Sequence, residues 1–597
     1  MLPVPSLLTA LAGAGLLTLY AAQSPAPAPA DDGLLLPGQV CVSGDGNRQL
    51  IGYYVKLAAA RTEVRPFPTD APLGADSATG PPPLWDNLGR LHFDAGTTNP
   101  LAQRYFDQGL KLAYAFNHAE AARAFRHAQR LDPECALCHW GEALVLGPNI
   151  NAPMDDAANA AALAALGRAQ ALAPKAGAKT QALIAALARR YASDPKAERA
   201  ALDAAYAEAM AGVAGQFPGD DDIALLYVEA LMDLSPWDYW EAAGARAKGR
   251  TAEIVARLEE VLRRHPDHPG AIHFYIHIVE ASADPGRALR HADRLGSLMP
   301  GAGHLVHMPF HIYFRVGRYQ DALQANRRAV AADEAYIAEA HPQGIYPLAY
   351  YPHNIHSLMT SAQMAGDGRS AVDAAEKLAQ VVSRDAGRSI AWVQPILVAP
   401  YFAHVQFSRP EVVLALPDPG GDLPYVKAMW HYARAVALAW RGESAAARAE
   451  VEAMRGLAQD GDFSALVAGG VPAPDVIELA QRVALGRIAQ AGGDWVRARA
   501  EFEQATAIEE TLLYAEPPYW YYPVRQSLGA VLLAAGKPDE AETAFRQSLL
   551  RAPNNGWALH GLSLAYERLG KAREAATARR QFAQAWAGPA APDLARL

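Results

Sequence analysis

The residues best suited to chemistry are histidines set one helical turn apart, in three places. They are His273-Phe-Tyr-Ile-His277-Ile-Val-Glu280, His304-Leu-Val-His307-Met-Pro-Phe-His311 and His353-Asn-Ile-His356. His273 and His307 are 34 residues apart, and so are His277 and His311. A helix-pair repeat of that period sets them side by side on successive helices. Residues 273–356 hold nine of the chain's 18 histidines, a density that even scatter does not produce. On a helix, each of the first two trios spans an arc of about 60°. Imidazoles on helices with axes about 8–10 Å apart can converge on one ion. Neutral imidazole suits zinc, copper, iron or nickel, and zinc or copper is the expectation here. The candidate ligands are His273, His277, Glu280, His304, His307, His311, His353 and His356. Glu280 doubles as the candidate base for metal-bound water. Seven histidines and a glutamate exceed the needs of one tetrahedral ion, so either some of them orient the others or there are two ions. At least three of the histidines other than His304 are expected to bring ring nitrogens within roughly 5 Å of a common point. Pro309 interrupts the second trio, and if a helix begins there, His304 and His307 sit in the preceding loop.

The elements that position these side chains must be helices. Apolar residues make up 51% of the chain and aromatics only 8%, a balance that suits stacked helices better than a β-rich fold. A net charge of −9 with interspersed signs leaves no basic stripe for nucleic acid. No phosphate-binding glycine loop, serine or cysteine nucleophile motif or deaminase cluster is found. Two segments carry small and large residues at the offsets of a tetratricopeptide (TPR) repeat. One has Gly109, Leu112, Ala121, Phe125, Ala128 and Pro133; the other has Leu528, Gly529, Leu532, Ala541, Phe545, Ser548 and Pro553. Weaker copies centre on Gly317/Ala322, Gly366/Ala371, Gly442/Ala447 and Gly493/Ala498, while residues 150–265 and 385–425 fit the repeat poorly. The expected fold is an all-α, TPR-like right-handed superhelical solenoid of antiparallel helix pairs.

The chain divides, on this reading, into five parts. Residues 1–30 are a signal peptide and Pro/Ala linker, since the apolar run Leu7–Ala22 precedes Ala-Pro-Ala repeats. Residues 31–97 are a poorly packed arm with short β-prone runs such as Leu50–Val55. Residues 98–266 form an N-terminal TPR-like region, 267–385 a histidine-rich one and 386–597 a C-terminal one. The protein is then exported, to the periplasm, with no membrane span in the mature chain.

Further motifs resemble a widespread family of bacterial and fungal TPR-domain proteins. They are Phe116-Asn117-His118, Gly147-Pro148-Asn149-Ile150-Asn151, Pro236-Trp237-Asp238, His268-Pro269-Gly270-Ala271-Ile272-His273, Ala302-Gly303-His304-Leu305-Val306-His307-Met308-Pro309 and Tyr351-Pro352-His353-Asn354. The resemblance spans most of residues 98–360. It implies the fold and the importance of these motifs, and names no reaction. Asn149, Asn151, Tyr351 and Asn354 join the groove on this basis, with a small molecule or peptide as its occupant. Cys135-Ala136-Leu137-Cys138-His139 has the pattern of a c-type haem attachment site, with His139 as axial ligand. The other readings of Cys135 and Cys138 are a disulfide or redox pair, and plain packing; the resemblance favours the pair. Two functional classes follow: a metal centre in the concave groove, or an interaction scaffold that binds a partner there without metal. The aromatic run Tyr514–Tyr522 is a candidate to close the groove.

Overall fold

The computed structural model describes residues 81–194, 196–241, 244–342, 344–389, 393–512 and 514–596, all within one compact unit, Pro37–Leu597. The leader, the run Leu50–Val55 and the chain's third cysteine, Cys41, lie outside the described residues. The fold is all-α: helices follow one another along the chain and pack pairwise, as the repeat offsets predict. Strand is confined, among the described residues, to the two-residue pair Trp240–Glu241 and Arg246–Ala247 and to a bridge between Asn149 and Ala152.

The first helix pair shows why the sequence folds this way. Asn99 caps Pro100–Tyr114 by accepting from the backbone N–H groups of Leu101 and Ala102, and Asn117 caps His118–Leu131 through Glu120. The Phe125 ring then fills the space that Gly109 and Gly141 leave bare. A Cβ on either glycine would fall within 2.7 or 2.5 Å of that ring. Phe125 is fully buried. We expect Phe125→Ala to cost about 3–5 kcal/mol, read as a lowered midpoint in chemical denaturation, because three helices lose their shared contact.

Residues 150–265 are more regular than their pattern suggests, with helices Asn159–Leu172, Ala178–Leu187, Arg199–Gln216, Asp221–Met232 and Thr251–Arg264. Their alanines pack without the usual TPR spacing. The arm also needs correcting over residues 81–97, which have no helix but are packed. Leu88 and Phe93 are buried. The backbone N–H of Trp85 donates to Gln108, and Lys111 donates to the Gly89 carbonyl.

Four helical segments carry the histidines. Pro269–Val279 is capped by His268, whose ring accepts from the Ala271 N–H. Gly303–His307 runs into Pro309–Arg315 with Met308 in helical conformation between them. Proline is tolerated there because it occupies the first turn of the second segment. His304 and His307 are therefore helical and not in a loop. Tyr351–Ala365 follows a π-helical turn, Tyr346–Tyr350, and stops at Gly366 (φ +78°).

Candidate metal centre

The structure brings the histidines into two adjacent triads. Ring nitrogens of His273, His277 and His304 lie within 4.8 Å of one another, and so do those of His307, His311 and His353. Both triads have one design. Two histidines a turn apart on one helix meet the leading histidine of the next histidine-bearing helix. His356, at the end of the row, belongs to neither: its Nε2 lies 2.9 Å from the Tyr521 hydroxyl. All six triad residues are buried, so the expected open groove wall is closed at this point.

The partners of the Nδ1 atoms assign the tautomers. His273 Nδ1 donates to the Tyr114 carbonyl at 2.7 Å. His307 Nδ1 donates to Asn326 Oδ1 at 2.7 Å, and the Asn326 amide is oriented by its own donation to the Ala322 carbonyl. Glu280 meets two rings at once: Oε1 accepts from His277 Nδ1 (3.4 Å), and Oε2 forms an ion pair with His311 at Nδ1 (2.6 Å), whose N–H is directed to Glu516 Oε2 (3.0 Å). These four imidazoles thus direct Nε2 inward, the arrangement in which a carboxylate, amide or carbonyl fixes a metal-binding ring. His277 Nε2, His304 Nδ1 and His353 Nδ1 are buried without a hydrogen-bond partner. Each such group costs about 1–3 kcal/mol unless something satisfies it.

Charge distributes unevenly. Burial, and then neighbouring imidazoles, push His273, His277, His304, His307 and His353 well below the ordinary histidine range, so these rings are neutral with lone pairs available. His311 differs. Burial opposes its charge, but the carboxylates of Glu280 and Glu516 outweigh it and raise its pKa to about 10. Its Nε2 then donates to His307 Nε2 at 2.9 Å. His273 and His304 meet the same way, Nε2 to Nε2 at 3.1 Å. A proton shared between two imidazole nitrogens occupies the kind of position a metal ion takes. Glu280, His311 and Glu516 also cluster within 4.8 Å, but a protonated Nδ1 makes that group an ion pair and not a ligand set. Glu280 thus lies against two histidine rings, where the sequence pattern suggests a ligand or base.

Aromatic residues wall the centre. Phe116 lies over His273 with ring centroids 4.5 Å apart, and Trp237 meets His277 edge-on at 5.0 Å. Both hold left-handed backbone, φ +54° and +64°, which bulky residues seldom adopt outside functional sites. Trp237 is anchored by donation to the Ile150 carbonyl. Asn149 shapes that loop by accepting from the N–H groups of Asn151 and Ala152. Asn151 is buried in the same loop, and the Tyr350 ring meets His304 at 4.8 Å. Asn354 donates to Asp333, which also accepts from Tyr346; the Tyr346 hydroxyl in turn accepts from the His304 backbone N–H. Tyr351 points away, to Glu334.

Glu516, Asn326, Asp333 and the Tyr114 carbonyl belong to the centre but not to the histidine pattern. Glu516 lies in the aromatic run, the one sequence signal that pointed to it. Cys135 and Cys138 form a disulfide, both buried, and His139 Nε2 faces the Pro133 carbonyl. The haem alternative thus has no free thiols to attach to in this structure.

No family model matches the chain, and no curated protein does. Solved structures do. Yeast Tom70 aligns over 79% of this chain and 89% of its own, at 11% identity and a TM-score of 0.26. A human IFIT1 dimer with m7Gppp-AAAA aligns over 82% and 90%, at 12% identity and 0.27. The TPR domain of P58(IPK) aligns over 61% and 93%, at 16% identity and 0.18. At these scores none of the three bears on what the chain does. The class is defined by its own helix pairs: a helical solenoid of TPR type, with no helix among the described residues long and apolar enough to cross a membrane.

Proposed function

We propose that this is an exported TPR-type protein that holds a pair of transition-metal ions, zinc or copper, in two adjoining three-histidine sites. The observation that carries the reading is the convergence of six buried imidazoles, four of them with Nδ1 already committed to a partner, on two points one repeat apart. Zinc in such a site polarises bound water, and copper exchanges electrons. The chain's own part is to keep five rings neutral, to fix the Nε2 atoms of His273, His277, His307 and His311 inward, and to exclude bulk water with Phe116 and Trp237. Export rests on the apolar run Leu7–Ala22. The coarser reading, a scaffold that binds a peptide or small molecule along its groove, needs only the fold.

Metal analysis of the full chain, purified without a histidine tag, separates the two. The metal reading expects about two zinc or copper ions per chain after dialysis against buffer. Sub-stoichiometric metal, unaltered by added zinc or copper, leaves the scaffold reading. A Soret band that survives denaturation returns Cys135, Cys138 and His139 to haem.

A further inference from the structure

The helix that carries His273 and His277 has a second wall. Tyr275 lies about 200° around it from either histidine, so it faces the opposite side. There an open cavity of about 900 Å³ lies among Thr251–Arg264, Pro269–Val279 and Leu289–Leu298. Its lining includes Arg263, Arg287, Arg290 and Arg294, against two carboxylates, Glu259 and Asp284. Four guanidiniums against two carboxylates make this wall positive on a chain whose net charge is −9. Arg287 pairs with Glu259 and donates to the Tyr275 hydroxyl, and Arg294 pairs with Asp267. Arg263 and Arg290 have no carboxylate partner among the described residues.

His291 supplies an independent sign. It stands in the same wall, only 4% exposed. Arg290 Nε can only donate, and it donates to His291 Nε2 at 3.0 Å. The ring is neutral, since burial, then Arg290 and Arg294, lower its pKa to about 4. Its proton therefore sits on Nδ1, a buried N–H with no acceptor among the described residues. A buried donor beside two unpaired guanidiniums lacks an acceptor oxygen that carries negative charge.

We propose that this cavity binds a small polyanion through its phosphate or carboxylate oxygens, with Arg263 and Arg290 supplying charge and His291 Nδ1 a fixed donor. The site is separate from the metal centre and does not depend on it.

Calorimetric titration of the full chain tests this, with pyrophosphate in one arm and citrate in the other, so that the tighter of the two identifies the oxyanion. One saturable equivalent is expected, weakening at least several-fold between about 50 and about 300 mM sodium chloride. His291→Phe keeps the ring volume and removes the donor, and should weaken binding about tenfold. Arg263→Gln with Arg290→Gln alters only exposed positions, and should reduce binding about a hundredfold; it decides the matter should His291→Phe fold poorly. Metal content should stay unchanged in both variants. Absence of saturable binding to either anion, or binding that the double arginine variant leaves intact, overturns the proposal.

Discussion

Replacing His277 and His311 together by alanine should empty both sites, taking bound metal from about two ions per chain to near zero. The pair are equivalent residues one repeat apart, and the Nδ1 of each lies against the same carboxylate. Two imidazoles remain in each triad, too few to hold a tightly bound zinc or copper ion against buffer. The helices should persist, because Phe116, Trp237 and Phe310 still fill the surroundings, although two buried rings are lost at a cost of a few kcal/mol. Two measurements distinguish the outcomes. Metal added to the wild-type chain should raise its melting temperature, by about 2.7 kcal/mol of added stability at a hundredfold excess over Kd, and should leave the variant unmoved. Far-ultraviolet circular dichroism should be the same for both. A variant that keeps its metal would remove these histidines from the ligand set, and with them the metal reading.

Glu280→Gln should weaken both ions, although the residue touches neither ligand nitrogen. One carboxylate meets an Nδ1 in each triad, accepting from His277 and ion-pairing with His311, which a carboxamide cannot do: it carries no charge, and its NH2 end is itself a donor. The ring that meets the NH2 group must rotate or change tautomer. Outer partners of this kind are worth about 10- to 100-fold in metal affinity. Because Glu280 serves both triads, the loss should appear at both sites. It should also abolish any dependence of the second ion's affinity on the first. Competition titrations with a chromogenic chelator read both effects. A loss confined to one ion would mean that Glu280 serves a single triad.

Much of this was legible in the sequence, for reasons that are local. A 34-residue spacing and a 3.6-residue turn suffice to align His273 with His307 and His277 with His311. The spacing is also what assigns the all-α solenoid. What stayed hidden depends on distant chain segments. Glu516 reaches His311 across 205 residues, and the Tyr114 carbonyl reaches His273 across 159. No periodicity encodes either. Pro309 misleads because a proline ends one helix and starts another equally well; only the helical Met308 shows that the segments are continuous. The arm over 81–97 lacks a repeating pattern, since extended backbone held by side chains such as Gln108 needs none. Burial was missed for a related reason. Histidine spacing says which face the rings share, while the aromatic residues that seal that face come from Phe116 and Trp237, far away in the chain.

The shared design of the two triads has a mechanical consequence. Each takes a pair of histidines from one helix and the third from the next histidine-bearing helix, so each straddles a junction between neighbouring repeats. Solenoids ordinarily breathe at such junctions, because every repeat leans only on its neighbours. A metal ion bound at each of two successive junctions would rivet three consecutive helical layers, turning the middle of a loosely coupled stack into a rigid block with softer arms on either side.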